Sequence, residues 1–370
     1  MSDLFLPPSS PQPGPESVEE TKVLAKSATV AGAAEPDAAA KAKKKRRWVL
    51  PLCISMGVLV ISLLGVVAWA WYTANSALDQ IKRDPTLVIE DPEFPAPLPS
   101  DLIERHPLNI VVMGSDSRGD IEDGRSDVLL VMHVTADRDK MYLISFPRDM
   151  YVPIPGHGKN KINAAYAFGG PPLTVKTLQQ LVGVGMDHTV VIDFESFVQI
   201  TKVIGGVTFN NSFESTNLGY HFPKGEVTLA GDELLAYVRQ RRGLPGGDLG
   251  RTERHRAVLR AVFLKLATPE TLTNPAAMQT VIDEVGGYFT VDARLTNSEI
   301  ISIGTSMRLT KGADVIGLQA PVSGYGRTKA NAAIDIVDEK QMAALAKAIQ
   351  DDTLDAYIKK YGTASGLTKR

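Results

Sequence analysis

The arrangement of hydrophobic and polar residues divides this chain into two parts of different character. An uncharged, largely apolar run extends from Trp48 to Leu78, and from about residue 106 onward short apolar runs alternate with amphipathic ones. Short runs that are apolar throughout are typical of strands in a sheet covered on both faces, whereas helical spacing indicates helices packed on such a sheet. The pattern therefore predicts an α/β domain behind a segment of membrane-spanning length.

The individual elements are predicted from the same pattern. Strands are expected at residues 108–113, 128–134, 141–146, 189–193, 207–209 and 315–318. Helices are expected at residues 173–181, 194–204, 232–242, 251–267, 275–285, 297–307 and 339–349. A polar turn at 136–140 predicts a hairpin between the second and third strands. A glycine-rich loop before Lys161 favours a helix start there, whose backbone N–H groups could bind an anion.

The uncharged run is the candidate membrane segment. A bilayer core is crossed by a helix of roughly 20 apolar residues, and this run is longer, with tryptophan and tyrosine at its ends. The basic cluster 41–47 before it should stay cytoplasmic, which predicts a single-pass type II protein of the cell membrane with an extracellular domain. A cleaved signal peptide is the alternative, and the long segment before the apolar run argues against it.

Four regions are expected on this basis. Residues 1–47, rich in Pro, Ala, Ser, Glu and Lys, predict a disordered cytoplasmic tail. A transmembrane helix is expected over 48–74 and an extracellular stalk over 75–105, helical through Arg83 and stiffened by prolines after it. The folded domain is expected over 106–370.

Composition excludes several classes of function. The formal net charge of −2 gives no indication of nucleic-acid binding. The single cysteine, Cys53, excludes an intramolecular disulfide and a cysteine zinc site, and the six histidines lack metal-binding spacing. The chain also lacks a Walker A motif, a Gly-x-Gly-x-x-Gly motif and a Gly-x-Ser-x-Gly frame.

Arginine and aspartate stand together in four segments near predicted strand ends and turns. The segments are 114–118, 125–127, 146–149 and 239–251. Arginine presents a fork of donors that matches phosphate oxygens, and nearby aspartates can hold a divalent metal that bridges the same oxygens. The combination predicts a diphosphate site. The plainer alternatives are surface ion pairs and a solvated basic helix end.

Individual residues take different roles in this prediction. Asp116 and Asp127 lie across a short loop, and two carboxylates brought together favour a cation between them, so both are predicted metal ligands. Pro147 gives Arg148 a defined direction. Arg239 and Arg241 can converge only if their helix ends there, because positions two apart do not share a helix face.

The ordered set of segments resembles the LytR-CpsA-Psr family of cell-envelope glycopolymer transferases. The resemblance covers residues 107–267 and is carried by Asp-Ser-Arg, Arg-Ser-Asp, Ser-Phe-Pro-Arg-Asp, Lys-Ile-Asn-Ala-Ala-Tyr, Ala-Tyr-Val-Arg-Gln-Arg and Gly-Asp-Leu-Gly-Arg. It implies a three-layer α/β/α fold around a mixed sheet, with a hydrophobic pocket for a polyprenyl chain. It also implies transfer of a glycopolymer from polyprenyl pyrophosphate to peptidoglycan, forming a phosphodiester and releasing polyprenyl phosphate.

The same resemblance implies roles for particular residues. It places Mg²⁺, or Mn²⁺, on Asp116 and Asp127. It assigns pyrophosphate binding to five arginines, which are Arg118, Arg148, Arg239, Arg241 and Arg251. Two positions depart from the family pattern, since Val128 replaces a threonine and His255 replaces a glutamine. His255 is compatible with a helix-capping role.

Three other interpretations stay open from the sequence. The same chemistry with water as acceptor makes a polyprenyl-pyrophosphate pyrophosphatase, and with a protein acceptor it makes a glycosyl ligase. A non-catalytic lipid-binding regulator could use the arginines for anionic lipid alone. The general base is not assigned, because a metal-bound carboxylate is a poor base, while Asp149 and Asp248 are expected to be structural partners.

Overall fold

A computed structural model describes residues 79–89, 91, 93–94, 106–115, 126–240, 244, 247–266, 268, 280 and 282–363. All of them belong to the compact unit that extends from Leu64 to Arg370. The predicted tail and transmembrane helix lie outside the described residues. Within the described part, no helix combines the length and the apolar character needed to cross a membrane.

Strands and helices alternate as the hydrophobic pattern predicts. The strands are β1 (Lys82–Asp84), β2 (Leu108–Ser115), β3 (Ser126–Val134), β4 (Met141–Ser145), β5 (Tyr151–Ile154), β6 (Gly158–Lys161), β7 (His188–Asp193), β8 (Val207–Asn211), β9 (Ser215–Asn217), β10 (Tyr220–Phe222), β11 (Gly225–Leu229), β12 (Thr290–Asp292), β13 (Val315–Gln319), β14 (Val322–Arg327) and β15 (Ala333–Val337). The helices are α1 (Ala164–Val182), α2 (Phe194–Val203), α3 (Gly231–Arg239), α4 (Gly247–Leu266), α5 (Asn297–Ser306), α6 (Glu339–Gln350) and α7 (Leu354–Tyr361).

Seven of these strands form a mixed central sheet in the order β1-β12-β7-β2-β3-β4-β13. β2 is parallel to β7 and antiparallel to β3, and β4 is antiparallel to β3 and parallel to β13. The C-terminal ends of β2, β4, β7 and β13 therefore lie at one edge of the sheet, where β3 begins. The mixed α/β class and the β3–β4 hairpin are confirmed.

Alternate residues of each strand face opposite sides of this sheet, and helices cover both sides. Val111, Val131 and Ile144 share a hydrophobic cluster with residues of α1, α6 and α7. Leu130 and Leu143 point the other way and pack with residues of α4 and α5. Burial on both faces explains why these strands are apolar throughout rather than alternating.

The region predicted as an extracellular stalk contributes to this domain. β1 pairs in parallel with β12, and Leu87 and Ile89 after it are buried in the core. The predicted helix through Arg83 is therefore wrong, and the described fold includes residues well before 106. The polar sequence Lys-Arg-Asp of β1 does not by itself predict a strand. It is a strand because it pairs with a partner some 200 residues away in the chain.

Several predicted boundaries also move. The helix start at Lys161 is wrong, because β5 and β6 form a hairpin that ends at Lys161 and α1 begins at Ala164. α1 extends to Val182 across a kink at Gly169 and Gly170. α3 ends at Arg239 rather than at residue 242, and α4 begins at Gly247 rather than at Arg251. The helix predicted at 275–285 lies mostly outside the described residues, although 282–285 are helical.

Candidate active site

The strands next to three of the arginine–aspartate segments have their ends at one edge of the sheet. β2 ends at Ser115, β3 begins at Ser126, and Arg148 follows the end of β4 by three residues. Parallel strands end at the same edge, and an antiparallel neighbour starts there. The tertiary fold therefore brings together segments that are separate in sequence, as the predicted site requires.

A β-bulge shapes this edge between β2 and β3. Gly114 pairs with Val128 and Ser115 pairs with Ser126, so that Asp127 is the extra residue of the bulge. A β-carbon on Gly114 would lie 2.8 Å from the β-carbon of Val128, which is closer than side-chain atoms normally approach. Glycine at 114 therefore lets the two strands meet at the bulge.

The predicted metal ligands are placed only through the backbone. Asp116 follows the last residue of β2 but lies outside the described residues, and the side chain of Asp127 is likewise not described. The bulge brings the backbone of Asp127 beside Ser115, which is the last residue of β2 and directly precedes Asp116. Among the residues that the structure describes, no group of three or more His, Cys, Asp or Glu side chains could hold a metal.

Arg148 stands in a turn that is braced by its neighbours. The carboxylate of Asp149 accepts a hydrogen bond from Nζ of Lys161 at 2.8 Å and lies 3.8 Å from Nε of Arg148. The backbone carbonyl of Arg148 accepts from the N–H of Asn163 at 3.2 Å. Asp149 is therefore a structural partner of Arg148 and Lys161, and Lys161 stabilises the turn through its side chain instead of starting a helix.

The second basic segment lies on α3 and α4. Arg239 is exposed in the last turn of α3, and Gln240 has an extended backbone, so the helix ends where convergence of Arg239 and Arg241 requires it. Arg241 lies outside the described residues, as does Arg118. Arg251 is only 2% exposed and stands in the second turn of α4.

Two further residues of α4 tie this helix to the end of α3. Arg254 donates to the backbone carbonyl of Gln240 and stands 5.9 Å from the centre of the Tyr237 ring. Nε2 of the buried His255 donates to the carbonyl of Val238 at 2.8 Å. His255 therefore does not cap the first turn of its own helix. It satisfies a carbonyl of α3, and this contact places the proton on Nε2.

An apolar cleft lies between the sheet and these helices. Its walls are Val112, Met113, Gly114, Val128, Ile192, Asp193, Phe197, Val238, His255, Val258 and Leu259. The cleft encloses about 480 Å³ not occupied by atoms, part of which is open to solvent. Its walls come from β2, β3, β7, α2, α3 and α4, so nothing short of the tertiary fold assembles it.

Asp193 is the residue of this site that sequence reasoning missed. It ends β7 in register with Ser115, and its carboxylate accepts from the backbone N–H and the hydroxyl of Ser196 at 2.7 and 2.8 Å. These bonds cap α2. An aspartate between a predicted strand and a predicted helix indicates an N-cap, so the sequence could have shown this role. The place of Asp193 on the wall of the cleft depends on the parallel pairing of β7 with β2.

Comparisons with known proteins agree with this geometry. The LytR_cpsA_psr family matches residues 76–351 of the chain. The polyisoprenyl-teichoic acid–peptidoglycan teichoic acid transferase TagU of Bacillus subtilis (strain 168) is 34% identical over 250 residues, which cover 65% of this chain and 77% of the relative. TagU of Halalkalibacterium halodurans is 32% identical over 256 residues, which cover 68% of this chain and 81% of the relative.

Solved structures show the same fold. The crystal structure of B. subtilis TagV superposes with a TM-score of 0.59 at 25% identity, covering 67% of this chain and 98% of that one. A structure described as TagT bound to LIIa-WTA has a TM-score of 0.53 at 25% identity, covering 67% of this chain and 91% of that one. These matches support the mixed α/β fold with its central mixed sheet.

Proposed function

This chain belongs to the LytR-CpsA-Psr family, and we propose that it transfers a glycopolymer from a polyprenyl-pyrophosphate carrier to peptidoglycan in cell-wall assembly. The relatives named above are teichoic acid transferases that use a polyisoprenyl-linked donor and peptidoglycan. The observation that supports the proposal most directly is an apolar cleft lined by Gly114 and Val128, from the sheet edge at which β4 leads to Arg148, and by His255, one turn after Arg251 on α4. A diphosphate attached to an apolar chain needs both kinds of surface.

The reaction exchanges one phosphorus–oxygen bond for another. The oxygen of an acceptor hydroxyl bonds to the phosphorus that carries the glycopolymer, and the bond from that phosphorus to the polyprenyl phosphate breaks. The products are a phosphodiester and polyprenyl phosphate, and the hydroxyl proton passes to a base. Arginines held in fixed directions neutralise the charge that builds on the phosphoryl oxygens during in-line attack.

Several arginines bind the donor in this proposal. Arg148, Arg239 and Arg251, together with Arg118 and Arg241 outside the described residues, bind the two phosphates in this proposal. Asp149 is a poor candidate for the base, because its carboxylate is already bound to Lys161 at 2.8 Å. The cleft takes the polyprenyl chain, which makes it the lipid pocket of a three-layer α/β/α domain.

A divalent metal is a further part of the proposal. The bulge that sets the backbone of Asp127 beside the end of β2 supports a pair of carboxylates at residues 116 and 127. Hard oxygen donors of this kind, one directly after the end of β2 and the other at the start of β3, suit Mg²⁺ or Mn²⁺. When bound there, the ion would supply charge neutralisation at the phosphate oxygens.

The proposal also includes a membrane anchor. The uncharged run 48–74 would hold the domain at the outer face of the cell membrane, with the basic cluster 41–47 on the cytoplasmic side. A lipid-linked donor lies in that membrane. Anchoring therefore keeps the cleft close to its substrate, and a type II topology puts the domain on the peptidoglycan side.

The experiment measures transfer by the full-length chain in detergent. A polyprenyl-diphosphate-linked glycopolymer, peptidoglycan and Mg²⁺ are supplied, and the attached polymer is quantified. We expect Arg148→Ala and Asp127→Ala each to lower transfer by at least about 100-fold, since the first removes positive charge that stabilises the transition state and the second removes a proposed ligand of the metal. Addition of a chelator should have the same effect on the unsubstituted chain.

Arg327→Ala is the matched control, because the hydrogen bonds of Arg327 to described residues lie within the exposed β14–β15 hairpin, and its loss should leave the rate unchanged. Full activity of Arg148→Ala would contradict the site. Release of phosphate without attachment to any acceptor would favour the pyrophosphatase, attachment to protein would favour the ligase, and donor binding without turnover would favour the lipid-binding regulator. Full activity in the chelator would remove the metal from the proposal.

A further inference from the structure

A buried arginine that forms no salt bridge with any described carboxylate lies behind the sheet edge of the candidate site. Arg256 on α4 is 8% exposed, and burial lowers the pKa of its guanidinium although the charge of Glu253 on the same helix opposes the shift. Its Nη1 donates to Oγ of Ser145 at 2.9 Å. The side chain has no salt bridge among the described residues, and a guanidinium remains charged in proteins. The fold therefore holds a positive charge in its interior with a neutral hydroxyl as its hydrogen-bond partner.

The surroundings of Arg256 are shaped to receive it. A β-carbon on Gly317 of β13 would lie 2.9 Å from both Cδ and Nε of Arg256, so only glycine leaves room for the side chain. A small cavity beside it is lined by Ser145, His255 and Arg256, and it shares His255, Val128 and Leu259 with the apolar cleft. Arg256 therefore lies between α4 and the sheet face that α4 covers, next to the apolar cleft.

Ser145 connects this arginine to the proposed phosphate-binding edge. It is the last residue of β4, three positions before Arg148. Its hydroxyl donates to the carbonyl of Leu318 on β13 at 3.2 Å while accepting from Arg256. One hydroxyl therefore joins the end of β4 to β13 and to α4.

Helix α4, which carries Arg256, also carries a residue of the candidate site. Arg251 stands on α4, five positions before Arg256, and His255 of the same helix lines the cleft. A rigid helix transmits a shift at residue 256 to residue 251. The distance between Arg148 and Arg251 consequently depends on how α4 is held against the end of β4.

We propose that Arg256 is a positioning residue for the transfer reaction. By bonding Ser145 it holds α4, with Arg251, against the end of β4, with Arg148, so that the two arginines keep the spacing that a diphosphate requires. This inference rests on the proposed function, and it adds to it a residue that does not touch the substrate. A displacement of about 1 Å in such a site can cost roughly 100-fold in rate.

A role in stability alone predicts a different outcome for the same substitution. Replacing a buried charge by an apolar residue of similar size is often neutral or stabilising, because the cost of removing the charge from water disappears. If Arg256 serves positioning, Arg256→Met should retain or raise the thermal midpoint of the chain while transfer falls. If it serves only packing, stability and activity should change together.

The test compares kcat, KM and thermal midpoint for full-length variants in detergent with the donor and acceptor described above. We expect Arg256→Met to lower kcat by about 10- to 100-fold without lowering the thermal midpoint. Ser145→Ala breaks the same bond and should lower kcat similarly, and the double variant should be no worse than either single variant. Arg256→Lys keeps a donor for Ser145 and should recover part of kcat.

Arg260→Met is the matched control on the same helix. Arg260 donates to the carbonyls of Val315 and Gly312, so its loss should lower the thermal midpoint and leave kcat unchanged. The positioning role is overturned if Arg256→Met retains full kcat, if its kcat and thermal midpoint fall together as a packing defect, or if the losses of Ser145→Ala and Arg256→Met add. An unsubstituted chain that transfers nothing contradicts the proposed function itself and removes the positioning role with it.

Discussion

Single residues at the sheet edge are constrained by how closely the backbones approach. Gly114 is the clearest case, because its neighbour across the bulge is the β-branched Val128, where the family pattern has threonine. The two β-carbons would be 2.8 Å apart if residue 114 had one. This glycine is therefore needed for the pairing of β2 and β3 beside the predicted metal ligands.

Substitution of this glycine should therefore damage stability and activity together. We expect Gly114→Ala to lower the free energy of unfolding by about 1–3 kcal/mol, because the added methyl group pushes β2 and β3 apart. Transfer activity should fall as the ends of these strands move. Chemical denaturation and the transfer assay measure the two effects.

Gly324→Ala is the control for this substitution. Gly324 also lies in a strand next to a bulge, and a β-carbon there would meet no atom within 4 Å. Its free energy of unfolding should stay equal or rise by roughly 0.5 kcal/mol. Equal stability of the two alanine variants would show that the close approach at Gly114 does not limit packing.

At the scale of elements, helix ends decide how the cleft is built. α2 begins directly after β7 because Asp193 caps it, and α3 ends at Arg239, where Arg254 and His255 of α4 bind the carbonyls of Gln240 and Val238. The cleft walls are set by these junctions. α5 begins with an equivalent cap, in which Thr296 and Glu299 bond reciprocally, but it lies outside the cleft lining.

The two capped helices allow structural and functional effects to be separated. Asp193→Ala and Thr296→Ala each remove an N-cap side chain, and each should lower the free energy of unfolding by about 1 kcal/mol. Only Asp193→Ala should also lower transfer, since Asp193 lies on the cleft wall. Denaturation curves and transfer rates for the pair test this, and equal activity in both variants would contradict a role of Asp193 in the cleft.

For the molecule as a whole, the two ends of the sheet have different electrostatic characters. The edge opposite the candidate site carries buried titratable groups at the start of β2 and β7 and the end of β3. Asp187 accepts from the N–H of Asn109 at 2.6 Å, and the buried His133 bonds both Asn109 and Asp352. Burial raises the pKa of Asp187 to about 6, although the hydrogen bond from the Asn109 backbone and the charges of His188, Arg294 and Arg138 oppose the shift.

The raised pKa makes stability depend on pH in a defined direction. The folded state binds the Asp187 proton more tightly than the unfolded chain, whose ordinary value is 3.8. The stabilisation is therefore complete below about pH 4 and is lost as the pH rises through about 6, for a total of roughly 3 kcal/mol.

Asp187→Asn removes this titration while keeping an oxygen for Asn109. We expect its free energy of unfolding to equal that of the unsubstituted chain near pH 4 and to exceed it by roughly 3 kcal/mol above about pH 7. Denaturation at a series of pH values measures the difference. Asp292 and Asp352, whose pKa values are lowered, act in the opposite direction in both proteins and cancel in the comparison. A difference that does not vary with pH would contradict the assignment.

Local sequence was sufficient for the α/β class and most buried strands. Apolar runs such as 128–134 and 141–146 predict strands, because a strand that is buried on both faces needs apolar residues at consecutive positions. Motif order also predicted the family, which the comparisons confirm. The membrane segment, the metal and the roles of all the predicted arginine and aspartate site residues stay predictions.

Tertiary structure decided whatever depends on partners distant in the chain. β1 is a strand only because β12 pairs with it, Asp193 reaches the cleft only because β7 lies beside β2, and Arg256 has a role only because Ser145 ends the strand it faces. None of these contacts leaves a periodic or local signal. The types of residues and their spacing along the sequence predict burial and turns. The distance between Arg148 and Arg251 instead depends on how a helix and a sheet pack together.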